Sequence, residues 1–85
     1  MEIKEAVAIA KDHLNKAFVD EIASPPTLEE VWFDEREDEW CITLGVRRKA
    51  GSALVDIITG RPRPDYRTVR VSDKDGKPTS IKIRD

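Results

Sequence analysis

Trp40-Cys41-Ile42-Thr43-Leu44-Gly45-Val46 alternates without a break. In an extended chain Trp40, Ile42, Leu44 and Val46 project to one side, and Cys41, Thr43 and Gly45 to the other, because successive strand side chains point to opposite faces. On a helix the same four apolar residues would scatter around the axis. The run therefore predicts a half-buried strand, with its larger side chains on the core face.

Upstream, Leu28–Phe33 reads as a second strand, with Val31 and Phe33 on one face and Trp32 on the other. Between the two lies Asp34-Glu35-Arg36-Glu37-Asp38-Glu39, a solvated acidic turn able to meet a basic partner. Ser24-Pro25-Pro26 bars any helix from running into this hairpin. Before it, Ile3, Ala6, Val7, Ala10, Leu14, Ala17 and Phe18 fall on one stripe at helical spacing. Glu2 and Glu5 suit the positive end of that helix. The alanines predict a close approach to the sheet, with little room for a ligand between the two layers.

Downstream, Tyr66–Ser72 and Thr79–Arg84 flank Asp73-Lys74-Asp75-Gly76-Lys77-Pro78. Asp-Gly between alternating runs marks a hairpin, because glycine readily takes positive φ. Val69 and Val71 share one face, as do Ile81 and Ile83; their alternate positions, Arg67, Arg70 (one step out of phase), Lys82 and Arg84, are assigned to a largely basic, wet face. Asp73-Lys74-Asp75-Gly76 also opens like a calcium loop, but Lys77 and Pro78 stand where further oxygen ligands would be needed.

The link from Arg47 to Asp65 is longer than a structureless connection in a compact domain. Ser52–Thr59 is expected to form a turn or two of helix, capped by Ser52 and stopped by Gly60. Its apolar residues Leu54, Ile57 and Ile58, bracketed by Arg47, Arg48, Arg61 and Arg63, are candidates for partner binding. Trp32, on the side away from the core, is another.

These elements predict an α+β fold: an N-terminal helix on a four-stranded antiparallel sheet, in the order α-β-β-loop-β-β. At 85 residues, one domain spans 1–85. One cysteine excludes an internal disulfide and fits a reducing compartment. Met1–Ala10 has no secretory pattern, and no segment is apolar enough for a membrane span, so a cytoplasmic protein is expected.

Net charge is −2 but unevenly divided. Residues 1–45 hold four Lys/Arg against twelve Asp/Glu, a net of −8; residues 46–85 hold eleven against five, a net of +6. The halves can satisfy each other within one sheet, or serve head-to-tail self-association. The set Arg47, Arg48, Lys49, Arg61, Arg63, Arg67 and Arg70 could meet nucleic acid. It lacks interleaved aromatics, and the pI of about 5.4 opposes that reading.

No catalytic, metal or cofactor constellation is legible. His13 and Cys41 are each the only residue of their type, and a nucleophile needs an oriented base. One of each cannot complete a structural zinc site.

Glu5-Ala6-Val7-Ala8-Ile9-Ala10 opening a helix, Glu39-Trp40-Cys41-Ile42-Thr43-Leu44 as a central strand, and Tyr66-Arg67-Thr68-Val69-Arg70-Val71 leading through Asp75-Gly76-Lys77 into Ile81 together resemble the small PepSY-like domains. The helix-on-sheet order is similar, more loosely, to the cystatin-like group. The resemblance implies a regulatory or inhibitory binding module with no catalytic residues to carry over. The chain departs from it in its long basic link and in showing no export signal. Small bacterial immunity proteins look similar too, which implies a toxin-neutralising role as an alternative.

Overall fold

The computed structural model describes residues 1–22, 24–47 and 65–84. Helix α1 spans Ile3–Ala17, and strands β1 (Thr27–Asp34), β2 (Glu39–Val46), β3 (Asp65–Ser72) and β4 (Pro78–Arg84) follow. The strands form one antiparallel sheet in the order β1-β2-β3-β4, each beside its neighbour in sequence. The expected α+β arrangement is what the chain adopts. Among the described residues no helix is long and apolar enough to cross a membrane.

α1 has no side-chain cap at Glu2. Glu5 lies in its first turn and Lys16 in its last, both suited to the dipole. Lys16 also pairs with Asp12 one turn back, at 3.0 Å. Beyond Ala17 the amides of Phe18 and Ile22 find Leu14 and Phe18 carbonyls, which closes the helix end before the prolines. Ala6, Ala10 and Leu14 are fully buried against Ile42, Leu44, Val46, Val69 and Val71. Two alanines at the contact bring the helix close, as expected. Beneath the end of α1 there remains a void of only about 10 Å³, bounded by Leu14, Phe18, Ile22, Val46 and Arg67 among others. Ile3 and Ala17, although on the stripe, are exposed.

Two corrections concern the sheet. β2 is buried on both faces, not half-buried: Cys41 and Thr43, on the side away from the helix, are as enclosed as Ile42 and Leu44. And Arg67 is not on the wet face: it is turned to the helix side and buried. In register Arg67 lies opposite Leu44 and Ile83, on the helix side, whereas Arg70 lies opposite Cys41 and Ser80. The two lie three positions apart, an odd step, so on a regular strand they must diverge.

The second hairpin turns at Gly76, whose φ of 66° is the positive value anticipated there. Gly76 N–H donates to the Ser72 carbonyl at 2.8 Å, and Ser72 N–H to the Lys77 carbonyl at 2.9 Å. The expected helical turns at 52–59 lie outside the described residues, as do Leu54, Ile57, Ile58, Arg48, Arg61 and Arg63.

Candidate binding surface

Among the described strands β1 lies at an edge of the sheet, and its two faces differ. The spacing of Leu28, Val31 and Phe33 cannot keep one face on a regular strand. An extra residue resolves it: the register shifts between Leu28 and Glu30, leaving Glu29 as a bulge. Leu28 then lies beside Leu44, Val31 beside Ile42 and Phe33 beside Trp40, all on the helix side. Glu30 and Trp32 lie beside Thr43 and Cys41 on the far side. The bulged Glu29 turns there as well, its Oε1 only 2.9 Å from where a Cβ on Gly45 would stand.

The helix packs on β2, β3 and β4, and β1 lies mostly beyond it. A groove of about 360 Å³ therefore runs along the flank of α1. Ile3, Lys4, Val7, Ala8, Lys11 and Leu28 line it. Leu28 is 44% exposed and, on the opposite face of the same strand, Trp32 is 49% exposed. Room for a partner thus lies beside the helix, not beneath it. Of the residues singled out in the sequence, Trp32 belongs to this surface. Arg47 is exposed at the end of β2. Leu28, Ile3, Val7 and the two lysines were not singled out. The irregular spacing of Leu28 and Val31 was the available signal for the bulge that exposes this edge.

The far end of β1 is fixed by charge. Arg70 reaches from β3 to both ends of the acidic turn: its Nη2 donates to Asp34 Oδ2, and its Nε to Glu39 Oε1 at 2.9 Å. Thr79 donates its hydroxyl to the other Glu39 oxygen. Asp34 Oδ1 accepts the Arg36 amide at 3.0 Å, closing the turn. The Arg70 hydrogen bond holds the Asp34 carboxyl below the ordinary carboxylate range. The Thr79 hydroxyl, then Arg70, do the same for Glu39. The Trp40 indole donates to Asp73 Oδ1 at 3.1 Å, and Asp73 N–H to the Asp38 carbonyl at 2.9 Å, so the two hairpin turns are tied together.

This alters two sequence-level readings. Asp34 and Glu39 are committed inside the molecule, leaving Glu35, Glu37 and Asp38 exposed at the acidic tip. The basic set loses Arg70 to its carboxylates and Arg67 to the helix side, where it is 8% exposed, with Asp65 3.9 Å away.

Cys41 and His13 stay apart, since the Cys41 side chain lies on the far side of the sheet and His13 on the helix. Burial pushes the Cys41 thiol up, away from the reactive thiolate. No protein-family model, curated protein or solved structure matches the chain.

Proposed function

We propose that the chain is a non-enzymatic protein-binding module that engages its partner along the edge of β1 and the adjoining groove. The observation that carries this reading is an edge strand with a large exposed apolar residue on each face, Leu28 and Trp32, beside an apolar channel. Edge strands usually avoid such exposure, because their unpaired backbone groups invite another strand. Strand addition gains affinity from that backbone and specificity from alternate side chains. The PepSY-like texture of the chain supports a regulatory or inhibitory role for the binding.

A second reading, a toxin-neutralising protein, rests on the exposed Glu35, Glu37 and Asp38, which suit a basic enzyme. Site-specific photo-crosslinking in the cell of origin separates the two. A photoreactive residue at position 28 or 32 is expected to capture the partner, and one at Val19, exposed past the end of α1, is not. Leu28→Asp is expected to abolish capture from position 32. Capture from the 35–37 tip alone would overturn the first reading in favour of the second.

A further inference from the structure

Among the described strands the sheet has two edges, β1 and β4, and their side chains are complementary. β1 carries Glu29 and Glu30, besides Asp34 already held by Arg70, and no basic residue; β4 carries Lys82 and no acidic residue. On β4, Ile81 and Ile83 lie opposite Val69 and Arg67 on the helix side, while Ser80 and Lys82 lie opposite Arg70 and Thr68 on the far side. β1 places Leu28, Val31 and Phe33 on the helix side and Glu29, Glu30 and Trp32 on the far side. Each edge is thus apolar on the helix side, and on the far side one is acidic and the other basic. Ile83 is 69% exposed, the most of any large apolar residue described.

Accepting β1 as the docking edge, we infer that its occupant is β4 of a second copy of this chain. In a four-stranded meander the first and last strands run in opposite directions. A second copy set alongside in the same orientation therefore continues the antiparallel order and keeps both helices on one side. The register follows from the Glu29 bulge. Opposite β2 the chain matches Leu28, Glu30, Val31 and Trp32 to consecutive residues. The same count on the outer edge sets Leu28 against Ile83, Glu30 against Lys82, Val31 against Ile81 and Trp32 against Ser80. Every pair then agrees in face. Ile83 enters the groove beside α1, and Glu30 meets Lys82 directly across strands. The Ser80 hydroxyl, buried without a hydrogen-bond partner in its own chain, comes opposite Trp32. Pairing β1 with β1, or β4 with β4, would set like charges face to face. The contact is therefore head-to-tail, and such contacts propagate beyond a dimer unless they close a ring.

Sedimentation velocity over a range of concentrations at low salt tests this. The wild-type chain is expected to gain mass with concentration and to pass the dimer. Glu29→Lys with Glu30→Lys, and separately Lys82→Glu, should each weaken association about tenfold. Mixing the two variants should restore it, because each acidic edge then finds a basic one. Lys82→Gln removes the charge without reversing it and serves should a reversal fail to fold. A wild-type chain monomeric throughout, or variants that associate like wild type, or a mixture that does not recover, would overturn the inference. Capture of a different protein from position 28, with a monomeric chain, would defeat this inference alone and leave the β1 docking reading standing.

Discussion

Arg70 is the residue on which the two hairpins meet. It holds Asp34 and Glu39 from the opposite hairpin while less than a quarter of its side chain is exposed. Both carboxylates have lowered pKa values in the folded state. Groups of that kind add stability above their unfolded pKa and lose it as pH falls through the folded one. The denaturant midpoint should therefore drop on acidification below about pH 5, as these carboxylates protonate. Arg70→Met should lower the midpoint at pH 7 and make the acid decline shallower, because its removal returns both carboxylates toward ordinary values. A variant whose acid decline matches wild type would show that Arg70 does not set these pKa values. The pairing of Arg70 was not legible in the sequence. It depends on which strands neighbour one another, which periodicity alone does not give. The one-step phase difference between Arg67 and Arg70 was legible; the Asp34–Glu39 partnership needed the fold.

At the scale of elements, the helix is fixed by small side chains. Ala6 and Ala10 have no exposed surface, and the sheet residues below them are equally enclosed. Ala10→Leu should cost roughly 1–3 kcal/mol, since interiors at native density do not absorb extra methylenes without shifts. A near-neutral result in chemical denaturation would mean that α1 rides higher on the sheet than described. The helix, all four strands and the Gly76 turn could be read from periodicity and turn chemistry. Strand edges moved by a residue or so, which is ordinary fraying. The burial of both faces of β2 was hidden because Cys41, Thr43 and Gly45 are small and mixed in polarity. Thr43 keeps its hydroxyl satisfied by Thr68 at 3.1 Å, so the polar group is accommodated within the sheet.

For the whole molecule, the division of charge between halves becomes a division between edges. A meander places the first and last strands at opposite edges of the sheet, so the acidic N-terminal half and the basic C-terminal half each own one. Part of the charge is used internally, through Arg70. Glu29 and Glu30 lie along β1 and Lys82 along β4, where they can direct association. Trp32 was legible as a surface candidate because the alternation put it opposite Val31 and Phe33. The groove beside α1 was not, because its width depends on how far the helix leans away from β1. Amide hydrogen exchange along β1 addresses the docking edge directly, comparing the dilute chain with the assembly captured by crosslinking. Amides of Glu30–Asp34 that point away from β2 should exchange rapidly in the dilute chain and become protected in the assembly. Unchanged exchange along β1, with new protection elsewhere, would contradict the assignment of β1 as the docking edge.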